Sequence, residues 1–137
     1  MTENTQTQLG FTVQLKTDFE SAIQRVTDAL KTEGFGVLTE IDVKATLKKK
    51  LDVDFRPYKI LGACNPPLAH RVLTADSQIG LLLPCNVVVA QNNEDTVEVS
   101  LVDPLSMLGL VHSNEIESVA QDARARLERV ATFLKNN

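Results

Sequence analysis

The sequence predicts an α+β fold, namely a two-layer α/β sandwich in which helices lie on one face of a mixed sheet. Three observations predict it. Short runs of alternating apolar and polar residues, as in strands, are interspersed with segments whose apolar residues recur at helical spacing. A polar turn separates two strand-like runs, which indicates an antiparallel hairpin. The chain closes with a long amphipathic segment that predicts a C-terminal helix.

The first strand and the first helix are predicted between residues 11 and 34. Apolar and polar residues alternate over 11–16, as in a half-buried strand. Thr17 and Glu20 have the spacing of a capping box, so Thr17 is the expected N-cap of the helix that follows. Gly34 stands where a helix commonly ends with a left-handed residue.

A second unit begins with a strand at residues 37–41. Asp42 is the expected cap of a second helix, whose apolar stripe comprises Val43, Leu47 and Leu51. If the first two strands are parallel neighbours, the helix between them should cross over with right-handed geometry.

A third strand is predicted at residues 58–64, followed by a short helix. Cys64 shares one face of this strand with Tyr58, whereas Leu61 lies on the other face. Asn65 is a good N-cap and Pro66 a good first helical residue.

The hairpin and the last helix complete the fold. Residues 87–89 are three valines, typical of a central strand that is buried on both faces, and residues 97–101 form the returning strand. Asn114 and Glu117 open the C-terminal helix. Residues 104–111 are too apolar for a free loop, so they form a short core helix, a contact surface or a ligand lid.

Length and composition indicate one domain. The 137 residues are 43% hydrophobic and 23% charged, so the chain needs neither a disulfide nor a metal to fold. We expect a frayed tail at residues 1–10 and a single α/β domain at residues 11–137.

Charge and hydrophobicity restrict the partners and the location. The net charge of −4 disfavours nucleic-acid binding. The N-terminus does not read as a signal peptide, and the apolar stretch at residues 79–83 is too short to span a bilayer. We therefore predict a cytoplasmic protein that binds neither nucleic acid nor membrane.

Three motifs resemble those of a known bacterial family. They are the segments at residues 34–43, 58–66 and 79–87. In this order they resemble the domain of unknown function 302 family, and the resemblance covers nearly the whole chain from Phe11 onward. It implies a compact two-layer α/β fold, often a homodimer, and no settled activity or catalytic residues.

Two short motifs, each containing a cysteine and an asparagine, are the candidate ligand site. Cys64, Asn65, Cys85 and Asn86 lie at predicted strand ends, where ligands collect in open α/β sheets. The helix after Pro66 would present its N–H groups to a small polar or anionic ligand. The leading hypothesis is therefore a homodimeric small-ligand-binding module.

A thiol-dependent redox factor or enzyme is the alternative. Cys64 would be the nucleophile and Cys85 the resolving thiol, with His70 as a candidate base. Three interpretations of the two thiols compete, namely a reversible disulfide, a soft-metal site and two unrelated buried thiols. Because their separation has no metal-ligand spacing, we predict neither a metal site nor a cofactor. A structural or interaction protein that uses residues 104–111 is the third hypothesis.

Three other polar residues have simpler explanations. Asp42 and Asp103 each end a strand, and capping a helix or turn accounts for both without acid–base chemistry. His112 follows an apolar stretch and is expected in a loop or an interface.

Overall fold

A computed structural model describes residues 5–6 and 9–136 of the chain. The elements follow one another as β1 (Thr5–Gln6), β2 (Gly10–Lys16), α1 (Phe19–Lys31), β3 (Gly36–Asp42), α2 (Val43–Leu51), β4 (Tyr58–Cys64), α3 (Pro66–Ala75), a 3₁₀ helix (Ser77–Leu82), β5 (Cys85–Asn93), β6 (Thr96–Val102), α4 (Pro104–Leu108) and α5 (Asn114–Asn136).

The strands form one sheet in the order β1-β2-β6-β5-β4-β3, and every described pairing is antiparallel. The α+β class, the β5–β6 hairpin and the long C-terminal helix are confirmed, but the sheet is antiparallel rather than mixed. Strands β2 and β3 are not neighbours. Instead β2 pairs with β6, from Gly10 opposite Val102 to Lys16 opposite Thr96. The conditional right-handed crossover between parallel neighbours therefore does not arise.

Helices α1 and α5 pack against one face of the sheet. Strand β6 shows why, because Val97, Val99 and Leu101 are buried while the residues between them are only half-buried. The main core contains further apolar residues from the strands and the two helices, including Phe11, Val26, Leu30, Leu61, Val87, Val89, Leu127 and Leu134. Its burial is the main stabilising contribution of the fold.

A second apolar cluster lies beyond the end of the sheet. It joins α3, the 3₁₀ helix, α4 and the first half of α5 through buried residues, namely Leu68, Val72, Ile79, Leu108, Ile116, Val119, Ala120 and Ala123. Of the three alternatives for residues 104–111, namely a core helix, a contact surface and a ligand lid, this cluster supports a core helix for the first part of the segment. Helix α4 is a core helix through Leu108, whereas Leu110 is 85% exposed.

Carboxylate and amide side chains cap three of the helices as predicted. Asp42 caps α2, Asn65 caps α3 and Asp103 caps α4, each through a side-chain oxygen that accepts a hydrogen bond from a backbone N–H of the first turn.

The expected cap of α1 was wrong by one residue. Asp18, not Thr17, is the N-cap, because both of its carboxylate oxygens accept hydrogen bonds from Ser21, one from the backbone N–H and one from the hydroxyl, each at 2.8 Å. Helix α5 likewise begins after Ser113, whose backbone carbonyl accepts a hydrogen bond from the N–H of Glu117.

Helix α2 differs from the other helices because it buries none of its residues. The predicted stripe of Val43, Leu47 and Leu51 does not enter the core, and Leu51 is 65% exposed. None of the described helices has the length and the apolar character that crossing a bilayer requires.

Replacement of Gly34 by alanine is expected to lower the free energy of unfolding by about 1–3 kcal/mol. Gly34 has φ +84°, and an added Cβ would lie 2.9 Å from Nδ2 of Asn65. Urea unfolding of the variant measures the loss. Gly36→Ala is the matched control, since a Cβ there meets nothing within 4 Å. Equal losses for the two variants would contradict the assigned role of Gly34.

Candidate functional site

A cavity of about 330 Å³ lies where α3, α4 and α5 meet one end of strands β3, β4 and β5. Its walls are almost entirely apolar, and none of its lining residues is charged. The main contributors are Phe35, Ala63, Leu68, Ala69, Val72, Leu83, Cys85, Met107, Leu108, Val119 and Ala123. An apolar space of this size suits a small organic molecule better than an ion.

The structure brings together three of the four predicted site residues. Cys64, Asn65 and Cys85 line this cavity, whereas Asn86 lines a groove on the opposite face of the sheet. The separation follows from strand geometry. Consecutive residues of β5 point to opposite faces, so Cys85 faces the helices and Asn86 faces away.

Both polar atoms of the Asn65 side chain make a hydrogen bond within the fold. Its Oδ1 accepts a hydrogen bond from the N–H of Leu68 at 3.3 Å, and its Nδ2 donates to the carbonyl of Glu33 at 3.2 Å. The residue is buried. Asn65 therefore positions a wall of the cavity.

The N-terminus of α3 cannot serve as the expected anion site. Pro66 and Pro67 have no N–H groups, and the N–H of Leu68 is taken by Asn65. The N–H of Ala69 donates to the backbone carbonyl of Asn65 at 2.9 Å. The expectation that this helix presents N–H groups to an anionic ligand was wrong, because its first four donors are missing or already satisfied.

Burial keeps the Cys85 thiol protonated. Desolvation, with a smaller effect of the charge of Cys64, raises the pKa of Cys85 from its ordinary 9.0 to about 11. Both cysteines are free, and Cys85 lies directly opposite Ala63 of β4. A resolving thiol needs accessible thiolate character, which Cys85 lacks. Cys64 is the more exposed of the two.

Neither histidine joins the cavity. His70 is exposed on α3 and His112 is exposed in the loop before α5. Neither is among the described residues that line the cavity wall. The candidate pairing of Cys64 with His70 as nucleophile and base therefore has no geometric support.

Helices α4 and α5 supply a cavity wall that was not assigned to the site from the sequence. Met107 and Leu108 come from α4, and Val119 and Ala123 come from α5. The signal for α4 was the unusual apolarity of residues 104–111. Val119 and Ala123 belong to the long apolar stripe of the last helix and have no feature that distinguishes them from its other core residues.

A buried carboxylate holds this wall in place. Asp103 is 4% exposed, and its Oδ1 accepts a hydrogen bond from the N–H of Leu105 at 3.0 Å. Its Oδ2 accepts another from Nε of Arg124 at 3.2 Å, which ties the start of α4 to α5. The guanidinium of Arg124 also lies 5.3 Å from the ring centroid of Phe11. Asp103 is therefore a structural residue, as the capping explanation predicts.

Alkylation should distinguish the two thiols. In the native protein near neutral pH we expect iodoacetamide to modify Cys64 first. Cys85 should react at least about 100-fold more slowly than it does in guanidinium chloride, because its raised pKa alone lowers the thiolate fraction by that factor. Peptide mass mapping of timed samples measures both rates. Rapid native labelling of Cys85 would contradict its burial.

The same pKa shift predicts a pH-dependent contribution to stability. Because the folded state holds the Cys85 proton more tightly, this contribution is fully present below the ordinary pKa of 9.0 and is lost as the pH rises through about 11. It amounts to at most about 3 kcal/mol. Urea unfolding at increasing pH should show the stability advantage of the wild type over Cys85→Ala shrinking in this window. A constant difference would contradict it.

Comparison with known proteins places these features in a family. The sequence model of the family described as "Domain of unknown function DUF302" matches residues 11–134. A crystal structure of an uncharacterized conserved DUF302 protein from Bacillus stearothermophilus is similar to this chain at 36% sequence identity, with a TM-score of 0.79, over 87% of this chain and 92% of that one. A search of curated proteins finds no match. The resemblance seen in the sequence is confirmed, and this chain belongs to the DUF302 family.

Proposed function

We propose that this protein is a homodimeric module that binds a small, mainly apolar molecule in the cavity beside Cys64 and Cys85. The observation that carries the proposal is the apolar lining of that cavity. A charged or strongly polar ligand would lose its hydration there without gaining charged partners. The ligand class is therefore apolar rather than the polar or anionic class favoured by the sequence.

The size of the cavity supports a small ligand. Its volume of about 330 Å³ is at the lower end of the range for small-molecule sites. Thr39 and Asn65 are the polar residues of the lining apart from the thiols. Asn65 is committed to its structural hydrogen bonds. Shape and apolar contact would consequently supply most of the affinity.

Two further parts of the proposal rest on general arguments. Two free cysteines at one end of the sheet fit a reducing compartment, so we place the protein in the cytoplasm. The homodimer is supported by apolar side chains at the centre of the sheet face that points away from the helices, which is treated below.

The thiol-dependent alternative has weaker support. Cys85 is buried with a raised pKa, and both histidines are exposed away from the cavity wall. Cys64 alone would have to provide the chemistry without an identified base or resolving partner. The geometry therefore favours binding over catalysis.

Indole is a suitable neutral probe, and inorganic phosphate is its charged counterpart. We expect saturating indole to raise the Tm, because a ligand that binds only the folded state at 100 times its Kd adds about 2.7 kcal/mol of stability. Inorganic phosphate at the same concentration should leave the Tm unchanged. Stabilisation by phosphate and not by indole would overturn the apolar ligand class.

A cavity-filling variant locates the binding. Ala69→Trp places a large side chain at the cavity wall and should abolish the response to indole. Ala125→Trp is the matched control, because Ala125 is an exposed helical alanine outside the cavity. An unchanged response to indole in folded Ala69→Trp protein would show that indole binds elsewhere.

A further inference from the structure

The face of the sheet that points away from α1 and α5 is here called the open face. Its described residues include Thr12, Tyr58, Ile60, Asn86, Val88, Ala90, Glu98, Ser100 and Val102. A groove of about 630 Å³ crosses it, and no helical residue lines the groove. The helices that line the cavity therefore lie on the other side of the sheet from the groove.

The centre of the open face is apolar. Ile60 lies opposite Val88 on the neighbouring strand, and Ile41 lies opposite Ile60 on the other side. These side chains are half-buried or exposed, and Ile41 is 49% exposed. An antiparallel sheet that faces water normally carries polar residues on that side. A row of three branched apolar side chains across β3, β4 and β5, which ends at Ser100 of β6, instead marks a surface that another protein covers.

Arg56 and Glu98 carry opposite charges and both line the groove, but they do not form an ion pair with each other. Arg56 donates a hydrogen bond to the carbonyl of Gln91 at 3.2 Å, and its guanidinium lies 5.9 Å from the centroid of the Tyr58 ring. Glu98 is half-buried on β6. Because β5 separates β4 from β6, these two charges flank the centre of the open face.

The strand register makes this arrangement self-complementary. Tyr58, Ala90 and Glu98 form one row across β4, β5 and β6, with Ala90 in the middle. A two-fold axis that runs along β5, between two facing sheets, brings β4 of one copy over β6 of the other. Arg56, beside Tyr58, then faces Glu98 of the second copy, and the same contact occurs twice.

We propose that the open face binds a second copy of this chain through this two-fold arrangement. Two reciprocal contacts between Arg56 and Glu98 flank an apolar centre formed by Ile60 and Val88 of both copies. The result is a β-sandwich whose two sheets pack face to face. This inference rests on the homodimer in the proposed function and identifies its surface.

Charge reversal tests the interface in the full-length protein. Light scattering and sedimentation should show a wild-type dimer at micromolar concentration. Arg56→Glu and Glu98→Arg should each weaken dimerisation at least about 100-fold, because each places like charges together twice. The double variant R56E/E98R should restore the dimerisation constant to within about tenfold of the wild type.

Lys49→Glu is the control for a change of charge alone. Lys49 is exposed on α2 and does not line the groove. This variant should dimerise like the wild type. Circular dichroism spectra of all variants establish that each is folded before its dimerisation is measured.

Each of the other possible results of these experiments contradicts a different part of the proposal. A monomeric wild type would overturn both the homodimer and its interface. A dimer that both single variants leave intact would place the interface elsewhere and leave the homodimer standing. Two disruptive single variants without rescue in the double variant would overturn the reciprocal pairing. Indole binding by the single variants tests the cavity independently of these results.

Discussion

The side chain of Asn65 ties the start of α3 to the turn after α1, and the rest of the site depends on that connection. Its Nδ2 donates to the carbonyl of Glu33 at the end of α1, and its Oδ1 accepts the N–H of Leu68 in α3. Since Nη1 of Arg126 donates to the same carbonyl, α5 is attached at this point too. A buried amide with satisfied hydrogen bonds fixes one arrangement of its neighbours. The left-handed Gly34 leaves the space in which that amide fits.

This arrangement leaves the cavity end of the sheet without a charged group in the cavity lining. The donors of α3 are absent or occupied, Cys85 keeps its proton, and the nearby Asp103 is bound to Arg124 outside the cavity wall. The donors of α3, the Cys85 thiol and the Asp103 carboxylate are therefore not available to an ion. The rest of the cavity lining is apolar surface, Thr39 and the partly exposed Cys64.

Local patterns in the sequence predicted most elements, because hydrophobic period and capping residues act over a few positions. Strand order depends on contacts between distant residues, so the pairing of β2 with β6 had no local signal. Two features of the site could nevertheless have been anticipated. The period of two along a strand separates Cys85 from Asn86, and two consecutive prolines remove the donors expected at α3. The apolar wall from α5 looks like any core stripe, so only the fold reveals it.

Alternate residues of strand β5 point to the two opposite faces of the sheet. Cys85, Val87 and Val89 face the helices, with Cys85 at the cavity, whereas Val88 and Ala90 form the middle of the open face. A second copy on the open face would cover β5 on the side that no described helix covers, and the helices already cover the other. Strand β5 would then be buried on both faces. Such burial would explain why a sheet with only one helical layer contains a run of valines that is typical of a central strand. Within one copy, Val87 and Val89 are buried under the helices and Val88 on the open face is half-buried, so full burial of Val88 would require a second layer over it.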